Sequence, residues 1–408
     1  MYKKKNVMKK LLVFLWCLSF ACSYGKAQII IHTSEIEKFH NLMRYIEEKA
    51  GGKLACKKGD TTELQTAFNK NSKDSKLNAL IDSLMNTTVR YDGRMGLRHI
   101  TVENFSKKTP RAKEAYRVAF TVLPDFCVEL VGGIDNKTEI WVEYWNNHEH
   151  RERVENAVIE LSASMEAIIE SLTPDLKALL PDDVDMSVEV NIHLIVDGDG
   201  AFFYGNHSVM DLVDEGFVNS PDFFATLKHE IHHIYYGNWF QERFGKKERS
   251  RSDWNLYAYQ RRFITEGIAT LYGHDLVPLE VQQMYANKDL IAELFDEWIS
   301  LIRGLKGDSP EDAREIIWDY LGERSFEWQK KYWPGDPDNI IQGYRPTVFY
   351  YVSYNLYNAI LEHGGHEKLK YVIENPDKLP SVYNELYSET MLIPRIPDDV
   401  VMLWQNNF

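Results

Sequence analysis

The chain has 408 residues, 44% of them hydrophobic and 26% charged, which excludes a long disordered or collagen-like polymer and makes a globular core feasible. Its net charge of −14 argues against a nucleic-acid partner, because an acidic surface is repelled by polyphosphate and gains nothing from counterion release. At roughly 150 residues per domain, the length allows two or three domains, or one catalytic unit with an appended helical region.

In chain order, Lys3, Lys4, Lys5, Lys9 and Lys10 precede the apolar run from Leu11 to Ala21 and the small residues Gly25 and Ala27. This is the layout of a secretory signal peptide cleaved after Ala27. Its removal takes away six lysines and no acids and lowers the net charge from −14 to −20. The apolar run is too short to span a bilayer comfortably, and no second run reaches roughly 18 residues. The expectation is an exported, soluble chain, periplasmic or extracellular, with no transmembrane helix. Ser19-Phe20-Ala21-Cys22 loosely matches a lipobox, so anchoring at Cys22 is the alternative. Cys56 and Cys127 remain in the mature chain. They either pair in an oxidising compartment or stay as two buried thiols.

From Ser34 to about Phe120 the sequence reads as helical with polar breaks. An amphipathic run from Ser34 to Lys49 stops at Gly51-Gly52, and Thr62 to Met85 carries a second apolar stripe at helical spacing. A long helix is predicted from Arg151 to Leu172, followed by a short one that Pro181 stops. Met186 to Val196 alternates and is β-branched (Val188, Val190, Ile192, Leu194, Val196), the pattern of a strand. Asp197-Gly198-Asp199-Gly200 makes a turn, and Ala201 to Leu212 returns as a second strand. Ser220-Pro221 then starts a helix reaching about Phe244, with Ser as N-cap and Pro in the first turn. The Gly245–Asp253 loop leads to a further helix through Tyr257 to Leu271, and more helices follow, interrupted by Gly335 and Pro337. The predicted class is α+β, predominantly helical, with a small mixed sheet ahead of the Ser220 helix.

The chemistry lies on that helix, where His229-Glu230-Ile231-His232-His233 spells H-E-x-x-H. Residues four apart on a helix sit about 40° apart around its axis, so His229 and His233 can present two imidazoles to one metal ion. Glu230, beside them, is placed to take a proton from an activated water without being a ligand itself. A catalytic zinc needs a third protein ligand and an open fourth position. A metzincin extension would need Gly at 236 and His at 239, but Tyr236 and Trp239 stand there. The next helix supplies a candidate, Glu266, in Ile264-Thr265-Glu266-Gly267-Ile268-Ala269. Gly267 and Ala269 are small enough to bring that helix close to the motif helix.

These two motifs and their spacing resemble the gluzincin, or peptidase MA-like, zinc metallopeptidases, over about residues 186 to 375. The chain is also similar to secreted bacterial zinc-dependent peptidases. The resemblance implies a zincin-like domain over 151–408 behind an N-terminal helical region at 28–150. It implies zinc held by His229, His233 and Glu266, with Glu230 as general base and a peptide or protein as substrate. In aminopeptidase-like members a tyrosine at the start of a later helix donates to the oxyanion. Tyr350, ahead of Gly364-Gly365, matches that place, with Ser353 where the family has Gly; Tyr344 is the second candidate. Thr270 stands where thermolysin-like relatives orient a histidine with Asp, so the surroundings of the ligands must differ. Gly200 to Gly205 lies where substrate could pair with a strand edge, although its glycines also suit turns.

The other histidines read as ordinary. His148 and His150 lie in a polar stretch, His363 and His366 flank a Gly-Gly turn, His207 and His274 suit packing or surface, and His232 suits a place beside the ligands or at the surface. The predicted function is zinc-dependent peptide hydrolysis. The alternative is a catalytically degenerate zinc-binding or interaction protein of the cell envelope. Structural zinc sites fill all four positions with Cys or His, whereas this chain offers three ligands and a free base.

Overall fold

The computed structural model describes residues 28–86, 101–102, 112–132, 135–197, 202–213, 221–305, 324–336 and 346–408. The expected leader with Cys17 and Cys22, the turn residues Gly198–Gly200, Ser220 and Tyr344 lie outside the described residues.

Strand β1 (Gln28–His32) leads into helix α1 (Ser34–Ala50). The helix stops as its sequence indicates: Gly51 takes φ +79°, and the Gly51 and Gly52 N–H groups donate to the Glu48 and Glu47 carbonyls. The apolar stripe after it is divided into α2 (Thr61–Asn71) and α3 (Ser75–Met85), because Asp60 and Asp74 each cap a new N-terminus. Next come β2 (Thr101–Val102), α4 (Ala112–Val122), β3 (Leu130–Gly132) and β4 (Asp135–Asn136), the three strands forming a small antiparallel sheet in the order β2-β3-β4. Cys56 and Cys127 are bonded to each other across 71 residues. Closing a loop of that size is worth about 4 kcal/mol on the chain-entropy account.

Helix α5 (Lys137–Asn146) precedes α6 (His148–Ala178). The latter is one continuous 31-residue helix with Pro174 inside it, rather than a long helix and a short one. His150 is buried on it with Nε2 3.2 Å from the Leu212 carbonyl oxygen, whereas His148 is solvated as expected.

The principal sheet contains β1, β5 (Glu189–Ile195), β6 (Phe202–Tyr204) and β7 (His207–Asp211), in the order β1-β5-β7-β6. Strand β5 runs parallel to both β1 and β7, and this central place buries every residue from Val190 to Ile195, not only alternate ones. The single returning strand expected over Ala201–Leu212 is two, because Gly205 at φ +58° turns the chain and β6 pairs antiparallel with β7. The sheet is therefore mixed, with β6 at one edge and a strand from the chain's first described residues at the other. Buried Lys137 donates to Asp197 at 2.9 Å and Tyr116 donates to the same oxygen at 2.8 Å, tying α4 and α5 to the end of β5.

The remaining described chain is helical: α7 (Pro221–Phe244), α8 (Arg251–Thr270, capped by Ser250), α9 (Leu279–Tyr285), α10 (Lys288–Leu305) and α11 (Ser325–Tyr332). A π-helical turn over Val348–Val352 opens α12 (Ser353–Glu374), which is broken at Gly365, and α13 (Leu379–Leu386) and α14 (Asp398–Asn406) complete the fold. The architecture is α+β and predominantly helical. Among the described residues no helix is long and apolar enough to cross a membrane.

Candidate metal centre

Helices α7 and α8 pack side by side, and each contributes part of one cluster. Phe223, Leu227, Ile231 and Ile234 anchor α7 in the core, which leaves His229 and His233 together on its other side, one turn apart. Their Nε2 atoms stand 2.9 Å from each other. Glu266, from α8, brings Oε2 to 3.4 Å from His229 Nε2 and 3.2 Å from His233 Nε2. Donors on a tetrahedral zinc with bonds of about 2.0–2.1 Å stand about 3.3 Å apart. The three side chains therefore converge with the spacing such an ion requires, and two imidazoles with a carboxylate are a donor set that suits zinc.

The electrostatics follow from burial. Glu230 is buried, and its Oε2 has no hydrogen-bond partner among the described residues. Burial pushes its carboxyl up from the ordinary value, with the imidazoles of His229 and His233 acting against that. Burial alone would raise Glu266 too, but the two imidazoles outweigh it and hold that carboxyl well below the usual range. His229 is raised, since Glu266 and Glu230 overcome its burial, and it also hydrogen-bonds the main chain at Ala269. That contact orients the His229 ring without an Asp at position 270. Thr270 instead donates to the Glu266 carbonyl oxygen at 2.7 Å.

The cluster opens on a cleft of about 530 Å³, lined by Glu230, Phe203, Tyr350, Arg261, Arg262 and Trp254 among others. Tyr350 lies in the π-helical turn, its ring 6.5 Å from that of His229. The charge of Glu266, then burial, push its hydroxyl well above its ordinary value, so it stays a donor. His232 is neither at the surface nor in the cleft: it is fully buried, stacked on Tyr236, with Nε2 3.1 Å from the Leu179 carbonyl oxygen. His207 sits 3.0 Å from His193 on the sheet, and His274 stacks on Tyr354, so neither joins the cluster.

Gly267 does not serve the contact expected of it. A Cβ there would lie 2.6 Å from Ser353 Cβ and 2.9 Å from the Tyr357 ring, so its smallness admits α12 and not the motif helix. Ser353 is the other half of this close approach. Gly267→Ala is expected to cost about 1–3 kcal/mol by overpacking, read as a lowered melting temperature, and to weaken metal retention through the adjacent Glu266.

The Gly200–Gly205 segment was a candidate substrate edge in the sequence, but the stacking of its Phe203 on His233, with ring centroids 4.7 Å apart, and the place of the α8 arginines in the cleft were not legible there. Gly237, one turn past His233, was a usable signal for the latter, since a missing side chain there leaves space beside the cleft.

Residues 99–390 match the model of a family described as "Putative zinc dependent peptidase (DUF5700)". No curated protein and no solved structure matches the chain. The family and the donor set agree on zinc as the cofactor.

Proposed function

The chain belongs to this family of zinc-dependent peptidases, and on that premise we propose that it is a gluzincin-type peptidase acting outside the cytoplasm. In this reading His229, His233 and Glu266 hold the zinc and Glu230 is the general base. The carrying observation is the convergence of those three side chains from two helices, with a buried, unpartnered carboxylate oxygen of Glu230 beside them.

When bound, zinc supplies Lewis acidity, polarising the substrate carbonyl and making a water nucleophilic near neutral pH. Glu230 takes the proton of that water at Oε2 and passes it to the leaving amine. Tyr350 donates its hydroxyl hydrogen toward the developing oxyanion. The outer edge of β6, which no other described strand pairs, with Phe203 against His233, offers main-chain groups to an extended peptide. The composition of residues 1–27 supports export, and the Cys56–Cys127 bond supports an oxidising compartment.

The test is cleavage of a peptide library by purified protein whose zinc content is measured by elemental analysis. Near one zinc per chain is expected, with cleavage abolished by a chelator and restored by added zinc. One zinc per chain without cleavage of any peptide would overturn the peptidase reading and leave a zinc-holding binding protein.

A further inference from the structure

We propose that Arg261 recognises a carboxylate on the substrate, about two to four residues from the bond that is cut; the proposal rests on the peptidase reading above. Arg261 projects from α8 into the wall of the cleft that Glu230, His229 and His233 also line. Its Nη2 is 3.5 Å from where a Cβ on Gly237 would be, and its Nη1 is 3.5 Å from Gln241 Oε1. Gly237 and Gln241 continue the four-residue steps of His229 and His233 along α7. Each such step also turns about 40° around the axis, so the guanidinium lies beside the cleft-facing side of that helix, about 6 to 12 Å beyond His233 at 1.5 Å per residue. An extended peptide advancing about 3.3 Å per residue covers that span in two to four residues.

Among the described residues the arginine has no carboxylate to satisfy it, whereas its neighbour Arg262 has Glu266 at 3.9 Å and stacks on the Phe349 ring. Burial acts on Arg261 as the main influence, opposed by the Tyr257 hydroxyl, and no carboxylate among the described residues compensates the loss of water. A guanidinium stays charged at any pH the protein meets, and its planar fork suits a carboxylate through two parallel hydrogen bonds. In a chain of net charge −14, a cation in the cleft wall with no carboxylate partner among the described residues is an exception that a substrate anion accounts for. Gly237 fits the same purpose, since a side chain at that position would fill the approach to Nη2.

The carboxylate has two sources, the chain end of the substrate or an Asp or Glu side chain. Two peptide sets separate them: matched peptides ending in a free carboxylate or an amide, and amidated peptides carrying Glu or Gln at each position in turn. Cleavage rates are measured on the zinc-loaded protein, and affinities by calorimetry in the Glu230→Gln background. The wild type is expected to favour one set's carboxylate member by about tenfold or more in kcat/KM and in affinity. In Arg261→Gln the ratio of the two members falls to about one. Arg261→Lys, which keeps the charge and loses the fork, retains part of the preference and serves if the Gln variant does not fold. A preference that follows the free end assigns the site to the chain terminus, and one that follows Glu assigns it to a side chain. Cleavage with no carboxylate preference, or a preference undiminished in both variants, overturns the proposal while leaving the peptidase reading intact. No cleavage of any peptide removes both.

Discussion

Glu230→Gln is expected to bind zinc as the wild type does and to lose about 10²–10⁴-fold in kcat, the range that general acid–base groups contribute. The amide has nearly the same shape and leaves His229, His233 and Glu266 untouched, but it cannot accept a proton. The pH profile gives a second readout. Burial raises the Glu230 carboxyl, so protonation removes the base as pH falls, and the acid limb of kcat/KM lies above the pH at which an exposed glutamate titrates. That limb disappears with the residue. Elemental analysis beside single-turnover cleavage checks the pair of claims, and substantial activity in the variant would remove Glu230 from its proposed role.

The second large effect is on the metal itself. Glu266→Ala takes away one of three converging donors and leaves His229 and His233 with a gap where the carboxylate stood. Changes to groups behind the ligands cost about 10–100-fold in metal affinity, so loss of a ligand is expected to exceed about 100-fold. A ligand that binds only the folded protein raises its stability, so the wild type should melt higher with zinc than without and the variant should not. Competition with a chromogenic chelator measures the affinity directly. Zinc bound equally well by Glu266→Ala would exclude Glu266 as a ligand and leave the site to another third donor.

How much of this was readable in advance depended on distance along the chain. H-E-x-x-H and E-G-x-A are short patterns whose spacing is set by one helical turn, and the structure brings His229, His233 and Glu266 together. Helix ends were equally local: Gly51, in the left-handed region, closes α1 because its own backbone permits it. Gly267 shows the limit, since its smallness was evident and its partner was not. Nothing in residues 264–269 distinguishes a neighbour at His229 from one at Ser353. The break between β6 and β7 and the full burial of β5 were missed for the same reason, because which strands lie alongside decides whether both faces are covered.

By itself, then, the sequence determined the α+β class, the stop of α1 at Gly51, and the two histidines and two glutamates of the candidate site, because periodicity and one-turn spacing are properties of the local backbone. Only the tertiary structure decided that Cys56 bonds Cys127, that Phe203 stacks on His233, that Tyr350 comes within reach of Glu266, and that Arg261 lines the cleft with no carboxylate partner among the described residues. Each of these contacts joins residues from separate elements. Their meeting depends on how the helices and sheet bury their apolar faces against one another, which no stretch of chain encodes alone.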